Sequence, residues 1–269
     1  MRVVRTIADI LAALEPGPGR TPSIGLVPTM GALHPGHLSL IEAARGGCEQ
    51  VVVSLFVNPA QFGRGEDLDK YPRDEAQDIA TAEAARVDLL FAPNAEQMYP
   101  DGFDTWVEPG KVGTFLEGSA RPGHFRGVAT ICTKLFLLVK PQRAYFGRKD
   151  AQQVAVVKQL VRDLDLPVEI VACPTVRDPD GLALSSRNVF LSPDERAAAV
   201  ALPRALQAGL AAHRAGGDAV RAAREVLDAE PRLSVDYVAE ADLDGPTLAA
   251  AVVVGSTRLI DNVRLEGEA

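Results

Sequence analysis

The run Val51-Val52-Val53-Ser54-Leu55-Phe56-Val57 has no polar face. A strand with one side in water alternates apolar and polar residues. A continuous β-branched, apolar run of strand length marks a strand covered on both sides, and such strands belong to parallel sheets wrapped by helices. The neighbouring segments repeat the pattern. Ser23–Val27, Asp88–Phe91, Ala144–Phe146 and Val168–Ala172 read as strands. Thr6–Leu14, His37–Arg45, Arg73–Arg86, Gly127–Lys140 and Asp150–Leu164 read as helices. Thr6 is the expected N-cap of the first helix, with Asp9 three residues on, and Pro16-Gly17-Pro18-Gly19 ends it; Gly46-Gly47 stops the second. Strand, helix, strand at a spacing of about 25–30 residues predicts βαβ units with right-handed crossovers, hence an α/β doubly wound parallel sheet. Ligands of such sheets bind beyond the carboxyl ends of the strands, so the loops after Val27, Val57 and Phe146 are the informative ones.

The pattern changes after Val176. Arg177–Asn188 is a polar loop, and Ser192-Pro193-Asp194-Glu195 is a strong helix start, with a Ser cap, Pro at the first position and acids in the first turn. A long Ala- and Arg-rich helix is expected next, then a second near Asp218–Ala229 and two strand-like runs, Leu233–Ala241 and Ala251–Ile260. The reading is a catalytic α/β domain over residues 1–176 and a smaller α+β domain over 177–269. The 269 residues are 47% hydrophobic and 24% charged, which excludes a disordered chain. A net charge of −8 disfavours nucleic acid and anionic membranes as partners. Cys48, Cys132 and Cys173 stand far apart, as expected of reduced thiols in a cytoplasmic protein. No apolar run approaches the ~18 residues of a membrane helix, and Asp9 interrupts the only stretch resembling a leader.

Four clusters carry candidate chemistry. The first, Pro28-Thr29-Met30-Gly31-Ala32-Leu33-His34-Pro35-Gly36-His37, joins a strand to a helix. Its glycines permit close backbone approach, and a helix opening at His37 supplies N–H groups and a positive dipole end for a nucleotide phosphate. A tight turn with solvent-facing histidines is an alternative. Zinc is another, although His-x-x-His lacks its remaining ligands. The second, Phe56-Val57-Asn58-Pro59-Ala60-Gln61-Phe62, sets the amides of Asn58 and Gln61 beside apolar surface, which suits a small polar substrate with an aliphatic body or a capped loop equally. The third, Phe146-Gly147-Arg148-Lys149-Asp150-Ala151-Gln152-Gln153, offers Lys149 as a phosphate partner or a plain surface residue and Asp150 as a helix cap or a Mg²⁺ ligand, with Gln153 one turn into the helix. The fourth, Ser185-Ser186-Arg187-Asn188, is a clamp for a polyphosphate or a solvated linker. Neither a Walker A loop nor a Gly-x-Gly-x-x-Gly fingerprint occurs. Beside these clusters His124 and His213 read as incidental: His213 as surface on a polar helix, and His124, just before a helix, as a residue able to line the site.

At these residues, densest in Val27–Leu40, Val53–Phe62, Arg121–Leu135, Phe146–Gln153 and Pro174–Asn188, the chain resembles the pantothenate synthetase (pantoate–β-alanine ligase) family nearly end to end. The resemblance implies a Rossmann-like nucleotidyl-transferase domain with the smaller domain as a lid. It implies condensation of (R)-pantoate with β-alanine, driven by ATP and requiring Mg²⁺, to give pantothenate, AMP and pyrophosphate, in a cytoplasmic homodimer without a tightly bound organic cofactor. Carried over by position, Met30, Gly31, Ala32, Leu33, His34, Pro35, Gly36 and His37 form an ATP loop, with His37 catalytic and His34 its partner. Gly147, Arg148, Lys149, Asp150, Val176, Leu184, Ser185, Ser186 and Arg187 complete the ATP site, with Lys149 and Arg187 also in the catalytic set. Gln61 and Gln153 hold pantoate, Gln61 also lies near β-alanine, and Asn58 belongs to the same pocket. Ser185-Ser186-Arg187 is similar to the mobile phosphate loop of class I tRNA synthetases. Arg148, Ala151, Ala60 and Pro35 depart from the family's usual acid, aromatic, Met and Glu. A dinucleotide- or CDP-alcohol-forming transferase shares His-x-Gly-His but has no use for the amide pocket. A nucleotide sensor has no use for Lys149 and Arg187 together with both histidines.

Overall fold

The strand apolar on both faces, β3 (Gln50–Leu55), lies inside a six-stranded sheet. The order is β1 (Arg2–Val4), β4 (Leu89–Phe91), β3, β2 (Ile24–Thr29), β5 (Arg143–Gly147) and β6 (Glu169–Cys173). Every pairing is parallel. The computed structural model describes residues 1–15, 22–63 and 65–266; the expected Pro16–Gly19 stop lies outside them. Alternate residues of β3 feed different cores, as the period of two requires. Val51 and Val53 pack with Leu40, Ile41 and Ala44 of α2 (Pro35–Gly47) and Ala82 of α3 (Glu75–Ala84). Val52 packs with Ile10 of α1 (Ile7–Ala13), Phe136 of α6 (His124–Val139) and Val157 of α7 (Ala151–Asp163). All three valines are 0% exposed, and burying such a side chain stabilises the fold by about 1.5–3 kcal/mol. Two one-turn helices, α4 (Ala95–Met98) and α5 (Glu117–Ala120), lie in the connection before α6. Strand β1 is too short for a period to show, and the sequence reading passes over it.

By contacts the chain divides into two compact units, one of Met1–Gly147 with Gln152–Cys173, the other of Arg148–Ala151 with the chain from Pro174 onward. In the second unit α8 (Pro193–Ala199), α9 (Ala201–Arg214) and α10 (Ala219–Asp228) accompany an antiparallel sheet of β7 (Leu233–Asp242), β8 (Pro246–Val254) and β9 (Thr257–Arg264). Two expectations are corrected here. The single long helix is two, joined at Val200, because Pro203 has no N–H for the carbonyl of Ala199 and its ring would strike that carbonyl. The run Ala251–Ile260 is not one strand but the inner half of a hairpin turning at Gly255–Ser256, so three strands close the chain, not two. Leu248, Val252, Leu259 and Val263 face the helices' Leu202, Leu206 and Leu227 in a separate core.

Candidate active site

In the first unit, the chain leaving β2 makes a sharp loop before α2. Gly31 stands at φ 85°, and a Cβ there would lie 2.8 Å from Asp78 Oδ2 and from Leu55 Cδ1. The buried Asp78 of α3 accepts from Ala32 N at 3.0 Å and Leu33 N at 2.7 Å, which holds Ala32 at its positive φ of 51°. Helix α2 then opens two residues earlier than expected: His34 is the N-cap and Pro35 the first helical residue, where a missing N–H costs nothing.

The two imidazoles serve the backbone. His34 Nδ1 accepts from Gly36 N at 3.1 Å, and His37 Nδ1 accepts from His34 N at 3.3 Å, a capping box built from histidines. His37 N and Leu38 N both donate to His34 O, at 2.8 and 3.1 Å. The amides expected to hold an anion are therefore spent inside the turn, and that part of the sequence reading is corrected. The donors the turn offers instead are the imidazoles. A neutral ring that accepts at Nδ1 carries its proton on Nε2, so both rings are Nε2–H donors, their centroids 4.1 Å apart at the positive end of α2.

The second cluster joins the first. Asn58 is 1% exposed, and its amide group donates to Gln61 Oε1 at 3.1 Å and to Gly127 O at 3.1 Å. Its oxygen accepts from Ala60 N at 3.2 Å and from the Tyr99 hydroxyl at 2.8 Å. Gln61 in turn donates to Met30 Sδ at 2.9 Å. The turn Pro59–Gln61 rests directly on α6: a Cβ on Gly127 would lie 2.6 Å from Gln61 N and overlap the Ala60 carbonyl. Gln153 stands on the first turn of α7, half-buried, and takes no part in the bonds joining Asn58, Gln61 and Met30. The preceding Gln152 is 4% exposed and pins the connection before α6, accepting from Glu117 N at 3.0 Å and donating to Val112 O at 2.9 Å and Phe115 O at 2.7 Å.

His124, incidental in the sequence reading, braces the Gln61 backbone. Its Nδ1–H donates to Gln61 O at 2.8 Å, and its Nε2 accepts from Arg121 at 3.2 Å. Arg121 pairs with Glu66, Nε to Oε1 at 3.1 Å. Burial, then the Arg121 charge, push the His124 pKa from 6.5 down to about 4. The folded value lies below the unfolded one, so the unfolded chain takes the extra proton between pH 6.5 and about 4. Stability rises with pH through that window and is lost on acidification, by about 3 kcal/mol from this residue. The acid-induced fall in denaturant midpoint is expected to be smaller in His124→Asn than in the parent; equal falls would refute the assignment.

In the second unit, Arg148–Asp150 form a single 3-10 turn, and Lys149 Nζ lies 3.3 Å from Asp150 Oδ1. Arg148, unusual for the resembled family, pairs with Asp244 at 3.4 Å. Leu184 N donates to Val176 O at 3.0 Å, bringing two of the expected nucleotide residues together. Ser185 caps the 3-10 turn Ser186–Phe190 by accepting from Arg187 N at 3.3 Å. Among the described residues no group of three or more His, Cys, Asp or Glu side chains could cage a metal ion. No helix among them is long and apolar enough to cross a membrane. Asp78, Tyr99 and Gln152 were missed from sequence, since each acts on a segment remote along the chain.

In the first unit a parallel sheet carries paired histidines at the carboxyl end of β2 with an amide cluster bonded to the same loop, an arrangement suited to an enzyme acting on a small polar substrate. The family model described as pantoate-beta-alanine ligase matches residues 2–264, and the chain belongs to that family. It is 55% identical over 280 residues to the pantothenate synthetase of Roseiflexus castenholzii, covering 99% of this chain and 100% of that one. The crystal structure of pantothenate synthetase from Thermus thermophilus superposes with a TM-score of 0.94 at 49% identity, covering 99% and 100% of the two chains. That of pantoate-beta-alanine ligase from Francisella tularensis, complexed with beta-gamma ATP and beta-alanine, gives 0.86 at 35% identity, covering 100% and 99%.

Proposed function

We infer that this protein joins (R)-pantoate to β-alanine in two steps, through a pantoyl adenylate, releasing pyrophosphate and then AMP. The observation that carries the reading is the pair of Nε2–H donors at the head of α2, in a chain of this family. Pantoate's carboxylate is ionised at pH 7 and needs no base to attack the α-phosphorus. It needs neutralised phosphates and an in-line approach. His34, His37, Lys149 and Arg187 supply donors and charge, while Gln61 and Gln153 orient pantoate and Asn58, its own amide fully bonded, holds Gln61 in place. Met30 to Leu33, Gly147, Arg148, Val176, Leu184, Ser185 and Ser186 shape the nucleotide's surroundings.

Asp150 is 46% exposed at its side chain and places a carboxylate beside Lys149, which fits a Mg²⁺ ion carried mainly by the triphosphate. When bound, that ion supplies further neutralisation of the phosphate charge. In the second step the amine of β-alanine must arrive deprotonated. His37 is not its base, because Nδ1 is held by His34 N–H and Nε2 carries the proton. Bulk solvent takes the ammonium proton before binding, and the histidines act as donors to the adenylate phosphate in both steps. The reading includes a cytoplasmic homodimer; the buried thiols of Cys48, Cys132 and Cys173, none of them in a disulfide, suit a reducing compartment and offer no exposed nucleophile for an acyl-enzyme.

Isotope transfer tests the route. Pantoate labelled with ¹⁸O in its carboxylate is expected to pass one ¹⁸O to AMP, because that oxygen stays on phosphorus when the amine displaces the adenylate. ADP as product, or unlabelled AMP, would overturn it.

A further inference from the structure

We propose that the adjacent β9 residues Asp261 and Asn262 are positioning residues that together hold both phosphate-handling elements of the second unit, the Lys149 turn directly and the Arg187 loop through Arg177. Neighbouring residues of a strand point to opposite faces, so one dipeptide can grip two elements. Asp261 shares its face with the core residues Leu259 and Val263, and is 2% exposed. Asn262, 9% exposed, points the other way. Its side-chain amide donates to Arg148 O at 2.9 Å and to Lys149 O at 2.8 Å, using both hydrogens. A single 3-10 turn has no ladder of its own to fix its geometry, so these bonds set where the Lys149 backbone stands.

Asp261 accepts from both terminal nitrogens of Arg177, at 2.5 and 3.0 Å, and from Asn262 N at 2.8 Å. Arg177 also donates to Gly181 O at 3.1 Å and pairs with Ala183 in an antiparallel bridge. Asn188 closes the same loop by donating to Ala183 O at 3.0 Å. The loop carrying Ser185–Arg187 is thereby anchored at its base to the residue next to the one holding Lys149. A fork-shaped, charge-assisted pair fixes orientation as well as distance, which a single bond does not.

The inference rests on the adenylate route proposed above, and the test separates the two. Asn262→Ala is expected to slow single-turnover formation of pantoyl adenylate by roughly 10-fold to 10²-fold, the scale of a small misplacement, while aminolysis of supplied pantoyl adenylate stays at the parent rate. In a Lys149→Ala background the same substitution should cost less than about 2-fold more, because Asn262 acts through Lys149. Asp261→Asn should be similarly non-additive with Arg187→Ala. Should Asn262→Ala not fold, Asn262→Ser, which keeps one donor, is held to the same criteria. A parent enzyme that makes no AMP from ATP, pantoate and β-alanine overturns the functional reading and this one with it. A working parent, beside an Asn262 variant that adenylates at the parent rate, slows both half-reactions alike or multiplies with Lys149→Ala, overturns the positioning role alone.

Discussion

Replacing His37 by Ala is expected to lower kcat by roughly 10²–10³, the loss that follows removal of one preorganised transition-state donor. In the role proposed here the ring gives its Nε2–H to charge that grows on phosphate, and the amides of Gly36, His37 and Leu38 cannot take its place because they are already bonded within the turn. The structural cost is smaller. His34 N loses its acceptor at the edge of the turn, worth about 1 kcal/mol on the scale of helix caps. The measurement is kcat at saturating substrates beside a thermal melt. Turnover near that of the parent would refute the role, whereas a collapse of the melt would assign the residue to folding.

Lys149→Ala is expected to slow adenylation by roughly 10²-fold or more, because its ammonium is the compact positive charge of the 3-10 turn and acts on a triphosphate that must shed pyrophosphate. Its neighbour Asp150 lies 3.3 Å away, so the variant also takes a counter-charge from that carboxylate, adding repulsion toward the nucleotide. Aminolysis of supplied pantoyl adenylate involves no pyrophosphate and should change little. Equal effects on both half-reactions in rapid-quench experiments would remove Lys149 from the phosphate site.

What could be read from sequence followed the range of the interactions involved. The sheet was legible because Val51, Val52 and Val53 each face an apolar core, which leaves a contiguous apolar signature. The histidine, amide, lysine and serine clusters stand out in the sequence because each is local. Their supports were not. Asp78 holds Ala32 across 46 residues, and Asn262 holds Arg148 across 114, distances at which no spacing rule operates. Gln152 and Gln153 are adjacent and chemically alike, and only the fold shows which of them is buried in structural bonds. The helix break before Pro203 was visible in principle, but the surrounding alanines and arginines promised an uninterrupted helix.

The histidine capping box makes two backbone amides into reporters. Gly36 N–H is protected from solvent exchange only while His34 presents Nδ1, and His34 N–H only while His37 does. Whenever either ring rotates out of its capping pose, the matching amide opens. Exchange rates at these two positions therefore measure, in the resting enzyme and without substrate, the fraction of time the donor pair is assembled. A ligand that tightens the pair must slow both amides by the same free energy with which it selects the assembled state.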